Sequence, residues 1–140
     1  MSDPRPGTSS RDLNRLCPCV RSRFIDLAGV PGLKLVVIET LRDLERQAYY
    51  VEIGVSRTLK SGHLAQPPNG LSLAVDAVPK DLLKLKNWGG PLKKGAPPHE
   101  LWLLYTDMAR KNELLCGADW NGGPDTGWDW PHVYLKKCLC

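Results

Sequence analysis

Asp76 stands inside Leu73-Ala-Val-Asp-Ala-Val78, a run in which every other side chain is apolar. A short apolar run closed by a proline, here Pro79, reads as a buried strand. A carboxylate left there without a partner would cost several kcal/mol. The strand therefore requires a partner for Asp76, and a metal ion is one that fits. The stretch leading into it, Ser56 to Asp76 (SRTLKSGHLAQPPNGLSLAVD), also carries His63, and a distant stretch, Gly127 to Leu135 (GWDWPHVYL), carries Asp129 and His132.

Two histidines and one aspartate meet the donor count of a catalytic zinc, which takes three protein ligands and keeps one position for water. Zinc lowers the pKa of that water from above 15 to about 7. A second carboxylate must then receive the proton and return it to the leaving group. Asp129 precedes His132 by three residues and can share its site if the chain bends at Pro131. The residues thus point to His63, Asp76 and His132 as zinc ligands and Asp129 as the proton-transfer group. Ser61 beside His63 raises a serine nucleophile, but a histidine that binds zinc cannot also be its base. Cys116 as nucleophile would need a free histidine, and only His99 remains, at an expected helix start where it reads as a surface residue.

The 140-residue length fits one domain, and a hydrophobic content of 42% fits a globular one. No apolar run approaches the ~18 residues that span a bilayer, so stable membrane insertion is not expected. The start, MSDPRPGTSSRD, lacks the apolar stretch of a secretory signal, so the chain is expected to be made and left in the cytosol. The net charge of +4 is scattered, and no expected helix carries the basic face of a nucleic-acid binder. Five cysteines, with two Cys-x-Cys pairs at Cys17/Cys19 and Cys138/Cys140, make an odd count. Without a signal peptide that count argues for reduced thiols over a disulfide framework.

Residues 1–9 are polar and proline-bearing and are expected to be flexible, leaving 10–140 as the domain. Helical spacing of Leu13, Leu16, Cys17, Val20, Phe24 and Leu27 predicts a helix from near Ser10, tolerating Pro18 or splitting there. Leu33–Glu39 reads as a strand. Thr40 is expected to cap a helix over Leu41–Glu52, with Leu41, Leu44, Ala48 and Val51 inward. A long loop follows, Val55–Ser72, then the Asp76 strand. A third helix is expected from Pro97–Pro98 to near Asn112, with Leu101, Leu104, Tyr105, Met108 and Ala109 inward. A strand or turn is expected over Leu114–Trp120, and a last strand from Val133. Helices interrupted by strands that need not be parallel imply an α+β fold, a small antiparallel or mixed sheet packed with about three helices.

The run ETLRDLERQAYYVEIGVSRTLKSGHL, followed by LSLAVDAVP, LLCGADW and DWPH, resembles the zinc peptidases of peptidoglycan. These comprise D-alanyl-D-alanine carboxypeptidases and the L-alanyl-D-glutamate endopeptidases of phage endolysins, and the endolysin type is the better match. The resemblance covers about Arg11 to Leu135. It implies zinc on His63, Asp76 and His132, Asp129 as acid/base, Arg42 over the substrate carbonyl, and Ser61 in the substrate groove. Trp128 and Trp130 are expected to wall that groove. The partner implied is the peptide stem of bacterial cell wall, cut by a monomer between L-Ala and D-Glu. A phage enzyme of this kind would be made in the host cytosol and reach the wall after release. The alternatives are a D-Ala-D-Ala carboxypeptidase and a non-catalytic zinc-stabilised binding module. Two departures stand out: His63 and Asp76 are thirteen residues apart, with a surplus near 66–71 that could extend the groove wall or act as a lid, and Cys116-Gly117-Ala118 replaces an expected Trp-Gly-Gly.

Overall fold

Strands β1 (Leu35–Glu39), β2 (Ala74–Pro79), β3 (Leu115–Cys116) and β4 (His132–Tyr134) form one antiparallel sheet in the order β1-β2-β4-β3. Helices α1 (Pro18–Ala28), α2 (Leu44–Glu52) and α3 (Glu100–Lys111) complete an α+β domain, as the sequence implies. The computed structural model describes residues 4–56, 58, 60–66, 70–85 and 97–137. None of the helices described is long and apolar enough to cross a membrane.

Pro18 sets where α1 begins. It lacks an N–H and fits only the first turn, so the expected helix divides into a 3-10 turn at Leu13–Arg15, capped by Asp12, and α1 itself. Val20, Phe24 and Leu27 then point into a core shared with Trp102, Tyr105 and Ala109 of α3 and with Val75 and Ala77 of β2. His99 caps α3, its Nδ1 accepting the Leu101 N–H at 3.0 Å. The Tyr105 hydroxyl donates to the Pro131 carbonyl at 2.7 Å, tying α3 to the turn before β4.

The second helix departs from expectation. It starts at Leu44 and is capped by Asp43, which accepts the Arg46 N–H at 2.9 Å. Leu44 is 71% exposed and Ala48 is exposed, while Arg46, Gln47 and Tyr50 are buried. The cause is what α2 packs against: chain segments whose backbone carbonyls need donors. Arg46 donates to the Pro6 and Gly7 carbonyls at 2.8 and 3.1 Å. Gln47 donates to Ser56 Oγ at 3.0 Å and to the Thr58 carbonyl. Residues 4–9, within the stretch expected to be flexible, lie along this helix, with the Thr8 N–H on Asp43 at 2.9 Å. Thr40, expected as the cap, instead donates its hydroxyl to the Asp12 carbonyl at 2.9 Å.

The expectation of reduced thiols is overturned at Cys17 and Cys19, which are disulfide-bonded. An odd count leaves one cysteine unpaired and says nothing against bridges among the rest. Cys116 is free and buried, and burial pushes its thiol up to about 12, which leaves no thiolate for nucleophilic work. Cys138 and Cys140 lie outside the described residues.

Candidate metal centre

The pairing of three strands builds the site. Glu39 of β1, Asp76 of β2 and His132 of β4 stand opposite one another across the sheet. Directly opposed residues share a face, so all three project to the side away from Val75 and Ala77. Glu39 reaches that face through a register shift at Ile38, between the Val37–Ala77 and Glu39–Asp76 pairs. Without the extra residue, strict alternation would turn Glu39 toward the core.

His63 arrives from the loop before β2. Its own carbonyl accepts the Arg42 N–H at 2.9 Å, and the Gly62 carbonyl accepts the Leu73 N–H at 2.8 Å. The His63 ring is 1% exposed, and Nδ1 donates to the Thr40 carbonyl at 2.7 Å. That bond places the proton on Nδ1 and turns the Nε2 lone pair toward Asp76, the usual orientation of a ligand histidine.

The three donor atoms form a nearly equilateral triangle. His63 Nε2 lies 3.0 Å from Asp76 Oδ1 and 3.1 Å from His132 Nδ1, and His132 Nδ1 lies 3.0 Å from Asp76 Oδ1. A tetrahedral ion with bonds of about 2.0–2.1 Å separates its ligand atoms by about 3.3 Å. The triangle is therefore close to the right size, and two imidazoles with one carboxylate suit zinc chemically. Burial opposes ionisation of Asp76, but the charge on His63 and hydrogen bonds from His132 and His63 outweigh it, holding the carboxyl far below the ordinary range. Burial likewise opposes charge on His63, and Asp76 outweighs it, raising that histidine above its ordinary value. The cluster attracts positive charge, and a divalent cation would take the place of the proton.

Asp129 Oδ2 lies 4.0 Å from His132 Nδ1, with its side chain about a third exposed. Desolvation and then the charge of Asp76 push its carboxyl up to about 6, the range of a proton carrier near neutral pH. Gly117 brings Asp129 here. A Cβ on Gly117 would collide with the Asp129 carbonyl and crowd the His132 Cβ. The Cys-Gly-Ala sequence thus keeps the glycine that this close approach needs.

Arg42 is buried beside the triangle. Its Nε donates to Glu39 Oε1 at 2.7 Å, Nη2 pairs with the same oxygen, and Nη1 donates to Gln47 Oε1 at 2.6 Å. The guanidinium carbon sits 4.6 Å from the Tyr50 ring centroid. These contacts use three of its five N–H groups and fix its plane. The Arg42–Glu39 pair is buried at the site.

A cleft of about 1200 Å³ joins these groups, lined among others by Ser61, His63, Asp76, Trp128, Asp129 and His132. Arg42 lines it as well. Trp128, 43% exposed, lines the cleft. Trp130 does not: it is 1% exposed and packs 6.4 Å from Trp102 in the core. The chain turns here, the His132 N–H donating to the Asp129 carbonyl at 3.3 Å, and Trp130 inside that turn packs into the core. Trp120 lines the cleft as well: its ring lies 4.9 Å from His132 and 5.5 Å from Trp128, and its indole N–H donates to the Tyr134 hydroxyl at 2.9 Å. Its signal was the Asp119-Trp120 pair in the LLCGADW match. Residues 67–69 of the surplus loop lie outside the described residues. Gln66, Gly70 and Leu71 form a tight bridge that does not line the cleft, so the described part of the loop neither walls the groove nor covers it.

One solved structure with this fold is the crystal structure of the Serratia marcescens L-Ala D-Glu endopeptidase ChiX. The match has a TM-score of 0.59 at 23% identity and covers 92% of this chain and 89% of that one. At this identity the likeness is one of fold. No protein-family model and no curated protein matches the chain.

Proposed function

We propose that this chain is a zinc-dependent peptidase that cuts the bond between L-Ala and D-Glu in the peptide stem of bacterial peptidoglycan. The observation that carries the reading is the His63–Asp76–His132 triangle, with edges of 3.0–3.1 Å, opening on a cleft beside Asp129. The shared fold with an L-Ala D-Glu endopeptidase supports the choice of bond.

His63, Asp76 and His132 would hold zinc, which would supply Lewis acidity at the reacting carbonyl. Asp129 accepts a proton at its carboxylate and hands it to the departing amine, a role matched by its raised pKa. Arg42 keeps two N–H groups for a substrate oxygen and holds them rigidly through Glu39, Gln47 and Tyr50. A fixed guanidinium stabilises the carbonyl oxygen as negative charge develops on it. Ser61 and Trp128 line the groove in which the stem would lie.

The test is digestion of purified wall by the wild type and by His63→Ala, with the fragments weighed. New amino termini on D-Glu that depend on His63 support the reading. Loss of terminal D-Ala would instead indicate a carboxypeptidase. Tight wall binding without cleavage would indicate a binding module.

A further inference from the structure

The Thr40–Arg42 stretch, which anchors the His63 ring, is bracketed by two other segments. On one side lie residues 9–12: Ser10 exchanges backbone hydrogen bonds with Thr40 and Leu41 at 2.6 and 2.7 Å, and Ser9 bridges Arg42. On the other side lies the loop through His63, bonded to the Arg42 N–H at 2.9 Å. Each segment sends one long cation to the cleft, Arg11 from the first and Lys60 from the second. Both are exposed, and neither has an ion-pair partner among the described residues.

The other charges of the cleft are engaged, Arg5 donating to the Tyr50 hydroxyl at 3.1 Å. Arg42 is paired with Glu39, Asp76 serves the two histidines, and Asp129 faces His132. Arg11 and Lys60 therefore leave a net positive wall on the side of the cleft where the Thr40–Arg42 stretch runs. The opposite side, at Trp120, Trp128 and Tyr134, is aromatic. A cleft with one cationic and one aromatic wall fits a substrate that carries an anion on one side of the reacting bond only.

We infer that Arg11 and Lys60 form a carboxylate-recognition wall, through which the protein favours a stem with a free D-Glu carboxylate over the amidated stem. The inference rests on the peptidase reading for its choice of ligand. D-Glu uses its amine toward L-Ala and one carboxyl toward the next residue. Its remaining carboxyl is an anion when free and neutral when amidated. A guanidinium and an ammonium on flexible stems discriminate between these by charge, so the preference weakens as salt rises.

The test uses the full chain carrying Asp129→Asn, to stop turnover, and calorimetric titration with two tripeptides. One is L-Ala–D-Glu–L-Lys with the spare D-Glu carboxyl free, and the other is its carboxamide. The free acid is expected to bind about tenfold more tightly, the combined effect of two exposed charge contacts. Adding Arg11→Gln and Lys60→Gln removes that margin and leaves amide binding unchanged. Adding Arg11→Lys and Lys60→Arg retains it. Both positions are exposed, and circular dichroism of each variant confirms that it folds. Equal binding of the two peptides, binding of neither, or a margin that survives the double Gln variant overturns the inference. The two levels separate in the wild type. Equal cleavage of acid and amide contradicts the carboxylate wall alone. Cleavage of neither, with the binding margin intact, contradicts the peptidase reading alone.

Discussion

Helices α2 and α3 have similar amphipathic sequences and opposite uses. α3 buries Trp102, Tyr105 and Ala109 against the sheet and α1, and it holds the fold together. α2 buries Arg46, Gln47 and Tyr50, and it holds the site together. Its apolar Leu44 faces out, while Gln47 and Tyr50 fix the Arg42 guanidinium beside the candidate metal ligands. Burial alone therefore does not identify core. A helix that packs on loop backbone needs donors on its inner face, and the hydrogen bonds that hold the loops also preorganise the cleft.

This contrast predicts that damage to α3 destabilises the fold and damage to α2 lowers activity. Trp102→Ala should cost about 3–5 kcal/mol in urea denaturation, the range for emptying a buried aromatic site. The fraction that stays folded should bind zinc with unchanged affinity. Gln47→Ala should cost less, about 1–3 kcal/mol for leaving buried partners unmatched. Its kcat/KM on purified wall should fall further, by up to about a hundredfold, because the guanidinium loses its alignment. If Gln47→Ala lowers stability and activity in proportion, the division between the helices fails.

Acid titration probes one end of each helix. Backbone donation from Arg46 holds the Asp43 carboxyl below its ordinary value at the start of α2, with the Thr8 hydroxyl and N–H adding to it. Burial opposes ionisation of Asp119, beyond α3, but hydrogen bonds from Arg110 at the end of that helix and from the Asp125 N–H outweigh it and lower that carboxyl too. A carboxyl depressed in the folded state stabilises above its unfolded pKa of about 3.9, and that stability is lost as pH falls through the folded value. The stability gap between wild type and Asp43→Asn should therefore narrow below about pH 4 in denaturation curves. The effect is small because Asp43 is exposed. The smallest effect is expected for Leu44→Ser, within about 0.5 kcal/mol, since that side chain faces solvent. A larger loss would return Leu44 to the core where its spacing placed it.

The legible parts of the chain are those where one residue conflicts with its surroundings. Asp76 in an apolar run announces a partner, and the partner set His63 and His132 follows from donor chemistry. The inward stripe of α3 is legible because only apolar contacts decide it. The Ile38 register shift was not legible, since strand pairing sets it and no local composition marks it. The α2 face was missed because loop carbonyls distant in sequence select it. The inward direction of Trp130 is not legible because the Asp129–His132 turn sets it, and no local pattern marks that turn. The bonded state of Cys17 and Cys19 is not legible because an odd cysteine count requires only one unpaired thiol. Residues 4–9 looked like a flexible start because their partners, Asp43 and Arg46, belong to another element.

The central claim is that His63, Asp76 and His132 together hold one divalent ion. Its most direct test is the zinc content of purified protein after equilibration with zinc and dialysis, for wild type, His63→Ala and His132→Ala. The account predicts about one tightly held ion per wild-type chain and almost none in either folded variant. Equal zinc in all three, or none in the wild type, would contradict it.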